Sequence, residues 1–344
     1  MVVALILAAL LFISFASNLA HWAESLVGKK VRNHLAGPTL EEVVLEDNDS
    51  KNKIAVISVE GVISSGFGEN GYDLVELIKE QLKRADEDDE VKAVLLKVNS
   101  PGGEVLASDD IYKAIRRFQA GDEDRPGKPV VCSMGSLAAS GGYYVAAPCR
   151  FIVANELTIT GSIGVIMHGY NYRGLMDKIG LRPETFKSGK FKDMLSGERT
   201  ETETPPEERA MVQGLIDETY QKFKGIVAEG RHHAHEKNKK DGKELTANWA
   251  DFADGRVLSG KQALDLGLVD ELGDYDDALN RTLEIAGIKD ESANVVEYQP
   301  KHDFADLFKM FGRSDARGLK VDLGVEMPKL HAGNMYFLWQ PFSR

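Results

Sequence analysis

Short apolar runs alternate with amphipathic segments through the middle of the chain. The apolar runs at 54–63, 91–98 and 128–134 are rich in β-branched residues, which predicts three buried β-strands. The segments at 73–85 and 107–118 repeat apolar residues at helical spacing, which predicts two helices with one apolar face each. Strands that alternate with helices predict a parallel sheet covered by helices, so the predicted fold class is α/β.

A longer helix is predicted from Pro205 to Glu229. Its apolar residues recur at multiples of four, and Pro205 is placed at the first helical position. Thr204 and Glu207 have the spacing of a capping box, and Gly230 is suited to end the helix.

The first residues of the chain, Met1–Ala20, contain no ionisable side chain. About 20 helical residues span roughly 30 Å, the thickness of a bilayer's hydrocarbon core, so this segment predicts a transmembrane anchor. A cleaved signal peptide and a buried core helix are the alternatives. A signal peptide would begin with basic residues and end at a clean small-x-small cleavage site, and neither feature is found before His21. The basic residues between Lys29 and Arg32 would by themselves keep the following chain in the cytoplasm.

Three further regions follow the predicted anchor. Residues 21–52 are largely polar and charged, which predicts a tether. Residues 53–290 contain the predicted strands and helices of the core. Residues 291–344 have weak periodicity, so neither a structure nor a function is predicted for this tail.

Composition narrows the class of protein. The formal charge is −12, so there is no basic surplus to neutralise phosphates, and we expect no nucleic-acid partner. Two cysteines are too few for a disulfide scaffold or a four-cysteine metal site. Cys132 and Cys149 lie in predicted core segments, where buried free thiols are commoner than a disulfide.

Two glycine-containing segments follow predicted strands. The sequence NSPGG, at 99–103, follows the strand at 91–98, and its glycines would let a ligand approach backbone amides as in an oxyanion hole. A simple strand-to-helix turn explains the same residues equally well. Ser140 precedes two glycines after another strand, where a serine is either an exposed nucleophile or the cap of the next helix.

A serine nucleophile needs a general base. His168 is the histidine that lies among the predicted core elements, so it is the candidate for a Ser-His-Asp triad. A lysine can serve instead when burial lowers its pKa, and Lys187, Lys190 and Lys192 lie close together in the sequence. The HHAH run at 232–235 falls in a lysine-rich stretch beyond the predicted helix, so we expect a solvated loop rather than a metal site.

Five motifs occur in a defined order along the chain: NSPGG, ASGGYY, TGSIGV, KSGKFKDM and GRVLSGKQALDLGLVDELG. In this order they resemble the signal peptide peptidase A family of membrane-anchored serine proteases, and the chain is similar to its short members with a single repeat. The resemblance covers roughly residues 53–290. It implies the Clp protease and crotonase fold, a spiral of ββα units, behind an N-terminal transmembrane helix.

The resemblance also implies roles for individual residues. Ser140 matches the family's nucleophile, and Lys192 matches its general base, so that the two form a Ser-Lys dyad. Ser162, in TGSIGV, matches a serine that hydrogen-bonds the base and orients it. The backbone amides of Gly103 and Gly141 would form the oxyanion hole.

A mechanism and a substrate class follow from this dyad. Neutral Lys192 would take the proton of Ser140, which attacks a peptide carbonyl, so neither a metal nor an organic cofactor is expected. The expected substrates are signal peptides or similar extended peptides that add a strand beside NSPGG and TGSIGV. A small apolar residue would suit the cleaved position if the Ala- and Gly-rich segment around Ser140 lines the pocket.

The resemblance further implies an assembly and a location. Short members of the family form ring-shaped homo-oligomers in which Ser140 and Lys192 would come from neighbouring subunits. The expected location is the cell membrane, with a single span and an extracytoplasmic catalytic domain, although the basic cluster after the span favours the opposite orientation.

Two other functions fit parts of the pattern. An enoyl-CoA hydratase type of enzyme uses the same fold and a similar oxyanion hole, but it performs acid-base chemistry with carboxylates. A non-catalytic membrane scaffold could keep the fold without turnover. The presence of both Ser140 and Lys192 favours the peptidase over either alternative.

Overall fold

The computed structural model describes residues 38–66, 73–239, 241–288, 292–301 and 335–338. Within these ranges, no helix is both long enough and apolar enough to cross a bilayer. The predicted anchor, residues 1–20, lies outside the described residues and stays a prediction.

The described residues form one sheet and seven α-helices. The strands are β1 (Leu40–Glu46), β2 (Lys53–Ile63), β3 (Val91–Glu104), β4 (Val130–Ala139), β5 (Phe151–Ala154), β6 (Ile159–Gly161), β7 (Ile166–Met167), β8 (Val257–Ser259), β9 (Glu271–Leu272), β10 (Asn294–Pro300) and β11 (Met335–Leu338). The helices are α1 (Leu74–Glu87), α2 (Val105–Ala120), α3 (Gly141–Ala146), α4 (Arg173–Lys178), α5 (Pro206–Lys237), α6 (Gly260–Leu266) and α7 (Tyr275–Ile285). Along the sheet the strands follow the order β1, β10, β2, β3, β4, β5, β9. The four others branch from the central strands, since β6 pairs with β4 and β8, and β11 pairs with β3 and β7.

Both faces of the central sheet are buried. Val94 and Leu96 of β3 pack into one hydrophobic cluster, whereas Ala93 and Leu95 pack into a second one on the opposite face. Strands β2, β3, β4 and β5 run parallel to one another, and helices cover the two faces. The predicted α/β class is therefore confirmed.

Strand β3 is longer than the sequence predicts. It continues through NSPGG to Glu104, because Gly102 and Gly103 pair with Val62 and Ile63 of β2. The expectation of a simple turn at 99–103 is therefore wrong, since the glycines belong to the sheet.

The sheet also extends beyond the predicted core at both ends. Residues 40–46, which the sequence places in the tether, form β1 and pair antiparallel with β10. Strand β10 in turn pairs parallel with β2, so residues 294–300 of the predicted tail belong to the same sheet. The tether interpretation is wrong for residues 40–46, because a long-range partner converts them into a strand.

Helix α5 passes through the predicted stop at Gly230 and ends at Lys237. A Cβ atom on Gly230 would lie 2.4 Å from the Ala147 carbonyl oxygen, so glycine here allows close packing and does not end the helix. The HHAH run is consequently the last part of a helix and not a loop. The capping box also differs from the prediction. It forms between Thr200 and Glu203, where the Thr200 amide donates to the Glu203 carboxylate, and not between Thr204 and Glu207.

A fully buried ion pair between Arg231 and Asp270 ties α5 to the sheet. The Asp270 carboxylate also accepts from the Ile152 amide at 2.8 Å, and Arg231 donates to the Cys149 carbonyl at 3.2 Å. Cys149 and Cys132 are buried free thiols, as the sequence predicts. Burial raises the pKa of the Cys132 thiol, so it is inert at neutral pH.

We predict that Asp270→Asn lowers the free energy of unfolding by about 3–5 kcal/mol, because the Arg231 charge would remain buried without its partner. Asp241→Asn is the matched control, since Asp241 pairs with Arg281 at the surface, and we expect a loss below about 1 kcal/mol. Urea unfolding measures both variants. Equal small losses would contradict the prediction.

Candidate active site

Ser140 lies in the sharp turn between β4 and α3. Its φ of 55° is in the left-handed region, which is strained for a residue with a Cβ atom. The turn is held from both sides, because the Ser140 amide donates to the Gly161 carbonyl and the Tyr144 amide donates to the Ser140 carbonyl, both at 2.8 Å. The buried side chain makes no capping hydrogen bond with the described start of α3. The geometry therefore favours the prediction that the Ser140 hydroxyl is available as a nucleophile over the prediction that it caps α3.

Three glycines let the backbones of β3 and α3 touch beside Ser140. A Cβ atom on Gly103 would lie 1.8 Å from the Ile63 carbonyl oxygen, and one on Gly141 would lie 3.0 Å from the Gly103 amide nitrogen. One on Gly102, where φ is 95°, would lie 2.5 Å from the Gly141 amide nitrogen. A side chain does not fit at Gly102 or Gly103 unless the backbone moves, and at Gly141 it would also meet the Ser108 hydroxyl at 2.7 Å. The structure thus brings together the amides of Gly103 and Gly141 that the sequence suggests for an oxyanion hole.

Ser162 lies near Ser140 because β6 pairs parallel with the last three residues of β4, so the residues that follow the two strands come to the same edge. The Thr160 hydroxyl donates to the Ala138 carbonyl at 2.7 Å, and the Ser162 amide donates to the Arg256 carbonyl at 2.7 Å. Ser162 also has a left-handed backbone, with φ of 50°. Ser140 and Ser162 line the same cavity, which has a volume of about 500 Å³.

This cavity carries several polar side chains besides the two serines. They are those of His168, Gln213, Asp217, Tyr220 and Asp254. Hydrogen bonds from Arg256 lower the pKa of Asp254 to about 2. Asp254 is therefore ionised at neutral pH and cannot donate a proton there.

The three candidate lysines differ in their partners. Lys187 pairs with Asp193 at 2.8 Å, and Lys190 pairs with Glu207 at 3.2 Å. Lys192 is exposed, and within the described part of the chain it has no carboxylate within ion-pair distance. Lys192 does not line the cavity of Ser140. One chain by itself therefore does not bring the predicted base to the predicted nucleophile.

His168 does line that cavity, as a Ser-His-Asp triad would require. Its side chain is exposed, however, and no hydrogen bond from another described residue fixes the orientation of its ring. A histidine base normally needs such a partner to hold its tautomer and its direction. The geometry places His168 close to the site without orienting it.

Models of known protein families match two parts of the chain. The model described as Peptidase family S49 matches residues 122–289, and the Clp protease model matches residues 67–159. A Synechocystis protein named as a protease is 39% identical over 239 residues, which cover 70% of this chain and 76% of that protein. An Enterococcus faecium protein named as signal peptide peptidase SppA is 38% identical over 265 residues, 76% of this chain and 71% of that protein. The chain belongs to the signal peptide peptidase A family.

Membership in this family makes the chain a serine peptidase. The enoyl-CoA hydratase alternative is therefore wrong. The predicted Clp-protease-like α/β fold is supported by the Clp match, which covers the strands and helices on both sides of Ser140. Protease 4 of Haemophilus influenzae is 33% identical over 72% of this chain, which spans only 37% of that longer relative.

The described residues contain no group of three histidine, cysteine, aspartate or glutamate side chains that could hold a metal ion. Residues 232–235 lie along the end of α5, where His235 is buried and His232 and His233 are exposed.

One element of the site was missed by sequence reasoning. Strand β11, at 335–338, pairs antiparallel with the Gly102–Glu104 end of β3 and with β7. Leu338 lines the cavity of Ser140. The apolar run MYFL was a usable signal for a strand, but nothing local indicates where such a strand pairs.

We predict that Gly103→Ala lowers the free energy of unfolding by about 1–3 kcal/mol and reduces peptidase activity, because the new Cβ atom would displace β3 from β2. The matched control is Gly225→Ala on the exposed side of α5, where no atom lies within 4 Å of the added carbon. That change should leave activity intact and stabilise the helix by up to about 1 kcal/mol. Urea unfolding and peptide hydrolysis measure both, and wild-type stability of Gly103→Ala would contradict the close approach.

Proposed function

We propose that the protein is a membrane-anchored endopeptidase that uses a Ser-Lys dyad to degrade signal peptides or similar extended peptides. The observation that carries this proposal is the available Ser140 hydroxyl, held by a strained turn beside two glycine amides. A relative named as a signal peptide peptidase supports the substrate class.

Ser140 acts as the nucleophile and Lys192 as the general base. Neutral Lys192 Nζ accepts the proton of Ser140 Oγ, and Oγ bonds to the carbonyl carbon of the substrate. The amides of Gly103 and Gly141 donate to the resulting oxyanion, the amine leaves with the transferred proton, and water then hydrolyses the acyl-enzyme. Ser162 orients the base. The contrast in ion pairing supports the choice of lysine, because Lys192 lacks the described carboxylate partners that its two neighbours have.

We predict that Ser140→Ala abolishes hydrolysis of a signal-peptide-like substrate, because the attacking oxygen is lost. Lys192→Ala should lose on the order of 10²–10⁴-fold in rate, the usual contribution of a general base. Lys187→Ala, Lys190→Ala and His168→Ala should keep substantial activity. Initial rates measure each variant, and circular dichroism checks that each one folds.

Two outcomes would contradict these roles. Turnover by folded Ser140→Ala would end the assignment of the nucleophile. An inactive His168→Ala beside an active Lys192→Ala would instead support a Ser-His-Asp triad. A fluorophosphonate probe that labels wild-type Ser140 would also exclude the non-catalytic scaffold.

The proposed active form is a closed ring in which the dyad crosses a subunit boundary. This assembly would bring Lys192 of one subunit to the cavity that Lys192 does not line within its own chain. A ring joined head to tail would also shelter its serines from folded proteins while it admits extended peptides.

Mixing two inactive variants tests the shared site. We expect activity to return when Ser140→Ala and Lys192→Ala subunits are refolded together, because some junctions then pair an intact serine with an intact lysine. Each variant refolded alone is the control. Mixed rings, verified by mass spectrometry, that remain inactive would reject the shared site but not the Ser-Lys mechanism.

The proposed location is the cell membrane, with residues 1–20 as a single span and the catalytic domain outside the cytoplasm. The apolar segment supports the span, and the family resemblance supports the orientation. External protease should digest the domain in intact spheroplasts. Protection until lysis would instead place the domain in the cytoplasm, as the basic cluster suggests.

A further inference from the structure

A second cavity, with a volume of about 470 Å³, lies over β2, β3 and β4 on the face of the sheet that α7 covers. Its lining includes Glu60, Lys97, Ser133 and Tyr275, none of which lines the cavity of Ser140. The volume is within the range of sites that bind small molecules. We call this space the β3–β4 cavity.

Two hydrogen-bond donors without acceptors lie side by side in the β3–β4 cavity. Lys97 of β3 and Ser133 of β4 are partners in the register of the two strands. Ser133 is only 8% exposed, and its hydroxyl makes no hydrogen bond with another described residue. Lys97 Nζ lies 5.5 Å from the centroid of the Tyr275 ring, and among the described residues it has no carboxylate within ion-pair distance. An ammonium and a hydroxyl in this arrangement suit a carboxylate of a ligand.

A negative charge lies in the same cavity, at some distance from Lys97. Glu60 of β2 pairs in register with Asn99, so it lies two residues farther along the sheet than Lys97. No described cation pairs with Glu60, so its carboxylate is free to bind an ammonium group. Two residues of a strand span roughly 6.6 Å, which is about the length of an extended dipeptide. The two charges are therefore spaced like the two ends of a short peptide.

The cavity also offers apolar surface. Leu157 lines it and is 80% exposed, and the ring of Tyr275 is half-buried beside Lys97. An apolar side chain of a ligand would remove this surface from water, which favours binding. A peptide with a residue such as leucine therefore fits the cavity better than a polar one.

A bulge in β4 connects the β3–β4 cavity to the nucleophile. The register of β3 and β4 shifts after Val98, so that residues 135–137 face the single residue Asn99. Asn99 lines the cavity, and its Oδ1 atom accepts from the Leu137 amide at 3.2 Å. Leu137 lies three residues before Ser140. A ligand that contacts Asn99 thus touches the bond that holds the segment leading to the nucleophile.

We propose that the β3–β4 cavity binds short peptides with both ends free, and that a bound peptide holds the bulge and so favours the reactive geometry of Ser140. The peptide carboxylate accepts hydrogen bonds from Lys97 and Ser133, and the ammonium group pairs with Glu60. Peptides of this kind are the products of a peptidase, so the protein would respond to what it releases. The binding site goes beyond the proposed function, whereas its effect on Ser140 rests on that function.

The first test measures binding to the full-length Ser140→Ala chain, which cannot consume the probe. Titration calorimetry with the dipeptide alanyl-leucine should show binding. Adding Lys97→Met should raise Kd by at least about tenfold, because methionine keeps an apolar stem and loses the charge. Lys92→Met is the matched control, since Lys92 is an exposed lysine of β3 outside the cavity, and it should leave Kd unchanged. Equal Kd values for these two variants would overturn the proposal.

A second test changes the ligand and therefore holds even if Lys97→Met fails to fold. Alanyl-leucine amide lacks the carboxylate charge, and N-acetyl-alanyl-leucine lacks the ammonium charge. Each should bind the Ser140→Ala chain at least about tenfold more weakly than alanyl-leucine. Equal binding of the three peptides, or absence of binding by alanyl-leucine, would overturn the proposal.

A third test measures the effect on the nucleophile. Saturating alanyl-leucine should raise the rate at which a fluorophosphonate labels Ser140 in the wild-type chain by at least about fivefold. The amide at the same concentration, and alanyl-leucine with Lys97→Met, should leave that rate unchanged.

Two results of the labelling experiment would overturn the effect on Ser140. One is an unchanged rate in the wild-type chain. The other is slower labelling in both the wild-type and the Lys97→Met chains, which would place the dipeptide in the cavity of Ser140 instead. If Ser140 is not labelled under any condition, the proposed function fails together with this effect, whereas calorimetry still decides whether the β3–β4 cavity binds peptides.

Discussion

The close approach of three glycine backbones is the constraint on which the site depends. Gly102, Gly103 and Gly141 leave no room for a Cβ atom, because backbone atoms of neighbouring segments and, at Gly141, the Ser108 hydroxyl fill that space. Glycine allows these segments to meet, and the sheet holds them there. Two backbone amides thereby come to lie beside a serine, which is the arrangement that stabilises an oxyanion.

The parallel sheet positions the two serines of the site relative to each other. The register pairs Ser100 with Ala138, so the ends of β3 and β4 meet at one edge, and β6 continues from there to Ser162. The strained turn at Ser140 persists because the Gly161 carbonyl and the first turn of α3 hold its backbone. The surrounding sheet therefore holds both serines in their strained backbone conformations, which the turns alone would not maintain.

One chain builds the nucleophile's half of the site more completely than the half that contains the base. Ser140, Ser162 and the glycine amides converge, whereas Lys192 lies on an exposed loop. Ion pairs hold that loop, since Arg199 pairs with the buried Glu208 of α5 at 2.6 Å. The loop thus has a defined shape in which Lys192 faces solvent. This arrangement is consistent with the proposed assembly, in which a second subunit completes the site.

The sequence by itself determined what depends on local pattern. It predicted the alternation of strands and helices, the placement of Ser140 directly after a strand, and the ordered motifs of the family. Only the tertiary structure decided the features that depend on distant partners. The Ala147 carbonyl makes Gly230 a packing position within α5, and pairing with β2 makes Gly103 part of a strand. Pairing with β3 and β7 likewise turns residues 335–338 into a strand of the sheet, because strand partners are chosen by register and space across the whole fold and not by the residues next in sequence.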